Sequence, residues 1–296
     1  GSFLRKDHPL IAQRLRQAAK RGAQVNVLHC ADDALLMPVA NKSIVAPSAL
    51  CAALAAVREG PIGASLASGK NVAVLLGNFA QQHPQAAQIH AQAQALAESL
   101  GARLGFLGEA ANSVGGYLAG LPCGANAQAM LATPRKAYLL LGAEPELDCA
   151  DPRAALAAMQ RADFVVALSS FRHRAAEYAQ VMLPIAPFTE TSGSFVNTEG
   201  RVQSFHGAVR PLGETRPGWK VLRVLGNLLG LQGFQFDSSE AVRDACLAGV
   251  DVAARLSNRI DLVSQAAAAA PTGGIEPGER LERIADVPIY FADPLV

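Results

Sequence analysis

The sequence lacks any pair of cysteines close enough to hold a metal cluster. Its five cysteines stand at positions 30, 51, 123, 149 and 246, whereas iron–sulfur and structural zinc sites need thiolates at short spacings such as C-x2-C. We therefore expect no cluster and no metal site in this chain. An odd number of scattered cysteines also favours reduced, buried thiols over disulfides.

The sequence also lacks an excess of charge and a long apolar run. Its 26 Lys plus Arg and 25 Asp plus Glu argue against nucleic acid or an anionic membrane as a partner. No apolar stretch reaches the roughly 20 residues that cross a bilayer, and no signal peptide is visible, so we expect no direct membrane insertion. The low share of charged residues, 17%, indicates faces buried against other subunits, or a composition simply rich in alanine.

Apolar residues recur along most of the chain with alternating helix and strand periods. They predict strands at 23–30, 71–77, 103–106, 137–141, 163–168 and 181–183, and helices at 9–21, 47–57, 84–100, 152–161, 171–179, 219–229 and 238–256. This alternation is typical of an α/β fold with doubly wound, mostly parallel sheets.

A connector rich in Gly, Pro and Ser at 58–70 is the best candidate for a domain boundary. We expect the second half of a truncated dinucleotide-binding-like α/β domain at 1–60, an α/β domain at 61–210, and a helical and extended C-terminal segment at 211–296. The last part contains a low-complexity run at 266–274 and an extended tail at 285–296. Because the chain opens on Gly1 without a preceding strand, we also expect it to be a piece of a longer protein.

The stretch 179–206 carries the densest pattern of the chain. Its polar and glycine residues are candidate site residues: Glu190, Gly193, Asn197, Glu199 and Arg201. The glycines allow tight turns or a close approach of the backbone to another surface. Charges beside a buried strand need partners, so we expect Arg201 to pair with Glu190 or Glu199. Spacing alone leaves two possibilities open, a loop that satisfies itself and a loop that lies against a ligand.

This stretch resembles the LPxxxFxExxGxxxNTEGRVQ motif of the molybdopterin oxidoreductase family, which lies near the pterin cofactor. The matching positions are Leu183, Pro184, Phe188, Glu190, Gly193 and 197–203. Residues 112–122 and 142–145 are similar to two further motifs of the family, N-x-x-G-x-x-x-x-G-x-P and G-x-[NE]-P. The resemblance makes the five candidates positions of a cofactor site or of its relic.

Residues 29–49 resemble the dinucleotide-binding part of that family, yet the residues that grip the nucleotide are replaced. The family's Asp-Pro-Arg-like and Pro-Gly-Thr-Asp-like turns correspond here to His29-Cys30-Ala31-Asp32-Asp33 and Val45-Ala46-Pro47-Ser48-Ala49. Asp32 and Asp33 would repel phosphate, and the glycine that lets backbone approach it is absent. We therefore expect no bound cofactor and no catalytic residue in this chain.

These replacements point to one branch of the family. The opening and the last eight residues, 289–296, resemble the large iron–sulfur (G) subunits of bacterial respiratory NADH:quinone oxidoreductases (complex I). The resemblance implies a cofactor-free scaffold within a protein that passes electrons from NADH to quinone, coupled to proton translocation. The 2Fe-2S and 4Fe-4S clusters would be bound by an N-terminal part whose cysteine motifs this sequence does not contain. Other peripheral-arm subunits would be its partners, on the cytoplasmic face of the bacterial inner membrane.

Other interpretations stay open. The chain can be a piece of a molybdopterin-binding oxidoreductase, or a nucleotide-binding α/β domain, although no G-x-G-x-x-G follows the strand at 71–77. His173 and Glu177, spaced i, i+4, can form an acid–base dyad, a solvated helix face or a contact to a neighbouring subunit. His29, alone at a strand end, favours a structural role over metal ligation.

Overall fold

The computed structural model describes residues 1–108, 110–121, 124–149 and 151–260, to which all structural statements refer. The strands are β1 (Asn26–His29), β2 (Asn41–Ile44), β3 (Ala73–Leu76), β4 (Arg103–Phe106), β5 (Ala137–Leu141), β6 (Phe164–Ser169), β7 (Val181–Pro184), β8 (Gly193–Val196) and β9 (Val202–Phe205). Three sheets are parallel and one is an antiparallel hairpin. The α/β class with mostly parallel sheets, predicted from the sequence, is confirmed.

Short helices connect these strands. The α-helices are α1 (Leu4–Asp7), α2 (Pro9–Lys20), α3 (Leu50–Ala55), α4 (Pro61–Ala67), α5 (Asn78–Gln81), α6 (Ala86–Ser99), α7 (Ser113–Leu118), α8 (Ala127–Ala132), α9 (Pro145–Asp148), α10 (Pro152–Arg161), α11 (Gly218–Leu228), α12 (Ser239–Leu247) and α13 (Val252–Arg255). Short 3-10 helices occupy Pro47–Ala49, Val57–Glu59, Arg174–Glu177 and Phe188–Glu190. Every described helix is too short or too polar to cross a lipid bilayer.

The described residues divide into two compact units, 1–108 with 257–260 and 110–256. The division into 1–60, 61–210 and 211–296 that we draw from the sequence stays a prediction, because part of its last segment lies outside the described residues. The low-complexity run 266–274 and the tail 285–296 also lie outside them.

The first unit is built on two parallel strand pairs, β1 with β2 and β3 with β4. Residues of α3 and α6 complete its core, and Ile89 and Ala93 of α6 are almost inaccessible to solvent. The alanines of α6 let the helix approach the strands closely, since protein interiors pack without voids. Gly101 then ends α6 in the left-handed region, at φ +60°.

The second unit is built on the three-stranded parallel sheet β5-β6-β7. One face of this sheet packs on α10, and Val165 and Ala167 of β6 are buried there. The other face, called the outer face below, carries Leu139, Leu141, Phe164, Val181 and Leu183, each 36 to 49% exposed. Parallel sheets usually bury both faces, so the outer face is an unusual apolar surface.

The hairpin β8–β9 belongs to the same unit. Gly193 pairs with Phe205 at one end and Val196 with Val202 at the other. The rings of Phe195 and Phe205 stack edge to face with centroids 5.2 Å apart, an arrangement that aromatic pairs prefer.

Local structure departs from the sequence-based expectations in several places. The connector 58–70 contains α4, because Pro61 fits the first turn of a helix. The strand β2 is polar at three of its four residues and gives no apolar signal, and the helix predicted at 171–179 is a single 3-10 turn, Arg174–Glu177. The predicted helix 238–256 breaks at Gly249, which adopts φ +73°, into α12 and α13.

The core of the first unit gives a direct test of the packing. We expect Ile89→Ala to lower the free energy of unfolding by about 2–5 kcal/mol, because Ile89 is 1% exposed and the change leaves a cavity. Urea unfolding measures this value. Leu10→Ala on α2 is the control, since Leu10 is 74% exposed, and an equal loss in both variants would contradict the packing described.

Candidate functional site

Asn197 organises the turn of the signature hairpin. Its side-chain Oδ1 accepts hydrogen bonds from the backbone N–H of Glu199 at 3.0 Å and of Arg201 at 2.9 Å. Its backbone carbonyl accepts the N–H of Gly200 at 2.9 Å, and its own N–H donates to the carbonyl of Arg201 at 3.2 Å. The side-chain oxygen of Asn197 is therefore satisfied by hydrogen bonds within its own turn, without a ligand.

The two glycines of the hairpin are needed for packing. A side chain at Gly193 would place a Cβ 2.7 Å from the ring of Phe205. Gly200 has φ +79°, and a Cβ there would lie 2.4 Å from Cδ1 of Leu256 and 3.1 Å from Cγ1 of Val252. Gly193 therefore makes room for Phe205 within the hairpin, and Gly200 lets the turn approach Leu256 and Val252.

Two further side chains tie the hairpin to its surroundings. Oε2 of Glu190 accepts the backbone N–H of Leu212 at 2.9 Å. Oδ1 of Asn112, from the second family-like motif, accepts the backbone N–H of Val196 at 2.9 Å. The motifs around 112 and 197, far apart in sequence, thus meet in the fold.

The remaining two candidates face solvent. Glu199 and Arg201 are exposed, and within the described residues no carboxylate lies within ion-pair distance of Arg201. The pairing of Arg201 with Glu190 or Glu199 expected from the sequence is therefore wrong. Glu190 instead accepts a backbone N–H, and the turn holds Arg201 through its own backbone N–H.

The carboxyl ends of β1 and β2 form the edge at which a nucleotide would be held in an α/β sheet. Asp32 lies there, and its Oδ1 accepts a hydrogen bond from Nζ of Lys42 at 2.6 Å. Oδ2 of Asp33 lies 3.5 Å from Nε2 of His29. Lys42 is thus already engaged with Asp32. The carbonyl of Pro47 at the end of the β2 loop accepts the Nε2–H of His83 at 2.9 Å.

His29 is a buried, neutral structural residue at this edge. Its Nδ1 accepts the backbone N–H groups of Cys30 at 2.7 Å and Ala31 at 3.0 Å, and its ring stacks edge to face on Phe79. Burial lowers the pKa of His29 to about 4, against the opposing attraction of Asp33. Because Nδ1 accepts two backbone hydrogen bonds, His29 has a structural role in this turn, as its isolated position in the sequence indicated.

A pterin dinucleotide does not fit the residues of this edge. Its pyrophosphate would meet Asp32 and Asp33, while alanine and proline stand at 46 and 47 where backbone would have to approach it. Two backbone N–H groups of this edge, those of Cys30 and Ala31, donate to His29, and Lys42 pairs with Asp32, so these donors are not free for an anion.

A second edge, at the carboxyl ends of β5 and β6, collects Glu144, Glu146 and His173, whose ligand atoms lie within 4.8 Å of one another. Nδ1 of His173 is 3.5 Å from Oε2 of Glu144. Glu177 pairs instead with Arg174 at 3.2 Å, so the i, i+4 dyad of His173 and Glu177 is not formed. Sequence reasoning missed this cluster because its members join only when neighbouring parallel strands end together.

An open cavity of about 380 Å³ lies beside the cluster, at the carboxyl ends of β6 and β7. Ser169, Ser170 and Arg172 contribute polar side chains to its lining, and apolar surface comes from residues such as Phe171 and Met182. The cavity and the cluster share the loop that follows β6.

The close packing of the hairpin turn can be tested with two glycine substitutions. We expect Gly200→Ala to lower the free energy of unfolding by about 2–4 kcal/mol, because it adds left-handed strain and overlap with Leu256. Gly213→Ala is the matched control, since Gly213 has φ +56° and nothing within 4 Å of its Cβ, and we expect about 1–2 kcal/mol. Equal losses by urea unfolding would exclude the contact with Leu256.

Because His29 is buried, we expect the protein to lose stability as the pH is lowered. Its folded pKa of about 4 lies below the ordinary 6.5, so the unfolded chain binds the proton first. Its contribution is complete above pH 6.5 and is lost as pH falls toward 4, by up to about 1.4 kcal/mol per pH unit. Urea unfolding at pH 7 and pH 5 should show a smaller decrease for His29→Gln than for the wild type. His206→Gln, at an exposed histidine, should keep the wild-type decrease; a wild-type decrease in His29→Gln would refute the assignment.

Comparison with known proteins places the chain in a family. Residues 1–228 match the family model described as molybdopterin oxidoreductase. A segment of 74 residues is 42% identical to proteins named "Putative formate dehydrogenase" from Staphylococcus aureus strains USA300 and NCTC 8325. That segment covers 25% of this chain and 8% of each relative, so the match spans a small part of those proteins. The extent of the family match, most of the chain, shows that this protein belongs to the molybdopterin oxidoreductase family.

Proposed function

We propose that this chain is the cofactor-free C-terminal scaffold of the large iron–sulfur subunit of a bacterial respiratory NADH:quinone oxidoreductase. In this role it holds peripheral-arm subunits in place on the cytoplasmic face of the inner membrane, while iron–sulfur clusters elsewhere in the protein carry electrons from NADH towards quinone. The chain itself contributes no catalytic residue, cofactor or membrane-inserted segment to that reaction.

The observation that carries the proposal is the chemistry of the β1–β2 edge. Asp32 and Asp33 follow β1 at the edge where α/β sheets hold nucleotides, and Nζ of Lys42 lies 2.6 Å from Oδ1 of Asp32. A carboxylate beside a phosphate would repel it. In a family member with such an edge, the sheet would have a structural role and would not bind the cofactor.

The signature hairpin supports the same interpretation. Asn197 and Glu190 direct their side-chain oxygens to backbone N–H groups of their own unit. Gly193 and Gly200 accommodate Phe205 and Leu256. Each of these four residues thus has a structural partner that accounts for it without a pterin.

The outer face of β5-β6-β7 supports a scaffold role. It exposes five large apolar side chains on a parallel sheet, a type of sheet that proteins normally cover on both sides. Leu168, in register with Leu141 and Leu183 on this face, is 1% exposed, so the face is covered in part. Apolar side chains that stay exposed on the rest of it are typical of a protein–protein contact. The low charge of the whole chain is consistent with several such contacts.

A second candidate is a molybdopterin-binding oxidoreductase, favoured by the 74-residue match to proteins named as formate dehydrogenases. Under this candidate the pterin would be held by residues outside the β1–β2 edge. The two candidates differ in metal content and in partners, and both can be measured on one preparation.

The deciding experiment isolates the protein that carries this chain from the bacterium that encodes it, through an affinity tag and in mild detergent. We expect iron and NADH:quinone oxidoreductase activity to co-purify, with molybdenum and tungsten far below one atom per chain. Stoichiometric molybdenum or tungsten, or the absence of respiratory subunits from the preparation, would reject the proposal and favour the second candidate.

The outer face provides a residue-level version of this experiment. We expect Leu139→Glu to release the partner subunits, because it adds a charge to a surface that contact would bury, while its 48% exposure lets the fold accept the change. Gln203→Glu, on the exposed strand β9, is the control that keeps them. Retention of all partners by Leu139→Glu at wild-type yield would exclude this face as the contact.

A further inference from the structure

Three potential metal ligands meet at the carboxyl ends of β5 and β6. Glu144 follows β5, Glu146 lies in α9 and His173 follows β6, and their ligand atoms lie within 4.8 Å of one another. Because β5 and β6 are parallel neighbours, their ends deliver side chains to the same place. The cluster belongs entirely to the second unit.

Glu146 contains a buried oxygen without a partner. The residue is 8% exposed, and its Oε2 accepts the phenol O–H of Tyr178 at 2.9 Å. Its Oε1 is inaccessible and has no hydrogen-bond partner. A buried carboxylate oxygen without a donor is costly, and a cation is the ligand that would satisfy it.

His173 accepts a backbone hydrogen bond at the nitrogen that lies nearest Glu144. The backbone N–H of Ala175 donates to its Nδ1 at 3.2 Å, so a metal ion bound at Nδ1 would have to displace this hydrogen bond. Oε2 of Glu144 lies 3.5 Å from the same nitrogen. Two electron-rich atoms at this distance repel each other unless a proton or a cation lies between them.

The same distance fits tetrahedral coordination. Ligand atoms about 2.1 Å from a tetrahedral Zn²⁺ lie about 3.4 Å apart, close to the 3.5 Å between His173 and Glu144. The widest separation in the cluster, within 4.8 Å, would have to close by about 1.4 Å. Because Glu144 and His173 are already 3.5 Å apart, the adjustment would involve the separation from the buried Glu146.

Charges of both signs surround the cluster. Asp148 accepts the backbone N–H of Glu144 at 2.6 Å. Arg174 pairs with Glu177, and Arg172 directly precedes His173 in the loop after β6. A divalent ion would balance the two carboxylates of the cluster.

We propose that Glu144, Glu146 and His173 bind a divalent first-row transition-metal ion of the Zn²⁺ class as a structural site. One imidazole nitrogen with two carboxylates suits zinc and its neighbours better than Mg²⁺ or Ca²⁺, which prefer oxygen ligands alone. The ion would fasten the segment after β5 to the loop after β6, with Tyr178 orienting Glu146 from behind. This site is independent of the proposed function, because it uses no residue of the β1–β2 edge.

The test is a titration of the full chain, prepared metal-free and without a polyhistidine tag, with Zn²⁺ by calorimetry and with Co²⁺ by visible absorption. We expect one saturable site, a rise in the melting temperature, and no heat with Mg²⁺. Glu144→Gln and His173→Asn should each weaken Zn²⁺ binding by more than about tenfold. Glu146→Gln should do the same and, by removing a buried charge, should not lower the melting temperature of the metal-free chain.

Two control variants separate this site from other sources of zinc affinity. Glu177→Gln, a nearby carboxylate that pairs with Arg174, should bind Zn²⁺ as the wild type does. Cys149→Ser should also leave binding unchanged. The proposal is overturned if the wild type shows no saturable binding, if Glu144→Gln and His173→Asn bind normally, or if Cys149→Ser abolishes binding.

Discussion

Parallel strands end side by side, and the charges placed at that shared edge decide what an α/β fold can hold. In the first unit the edge of β1 and β2 carries Asp32 and Asp33, and its backbone N–H groups are used by His29. In the second unit the edge of β5 and β6 carries Glu144, Glu146 and His173. Carboxylates therefore stand at both edges, paired with Lys42 at the first and beside an imidazole at the second. A carboxylate at such an edge disfavours an anion and favours a cation.

The signature hairpin illustrates how a sequence motif can persist for reasons of packing. Asn197 closes the turn with two hydrogen bonds to its own backbone, and Gly200 gives Leu256 room to approach. Asn112 joins Val196 across a long stretch of sequence. These contacts need asparagine and glycine at those positions whether or not a pterin is bound. A motif match therefore identifies the family more securely than it identifies a ligand.

The sequence predicts regular elements well where one physical signal dominates. Pro9 before a periodic apolar pattern fixes α2, and continuous apolar runs give β3 and β5. It fails where the decisive partner is distant. β2 is polar at three of its four residues and forms because it pairs with β1, and the helix predicted at 238–256 is interrupted at Gly249, which takes a left-handed conformation. Periodicity along one segment contains no information on either event.

The same distinction separates the two candidate sites. For the β1–β2 edge the sequence supports a prediction, because the family pattern gives the residue types expected there. Asp32 and Asp33 are acidic, whereas the family's Asp-Pro-Arg-like turn contains an arginine. The cluster at β5 and β6 could not, because spacing suggested Glu177 as the partner of His173. In the fold Glu177 forms an ion pair with Arg174, and the parallel pairing of β5 with β6 places Glu144 next to His173. Strand register, set by the core beneath the sheet, is therefore what creates this site, and a change in that core would alter it without touching a ligand.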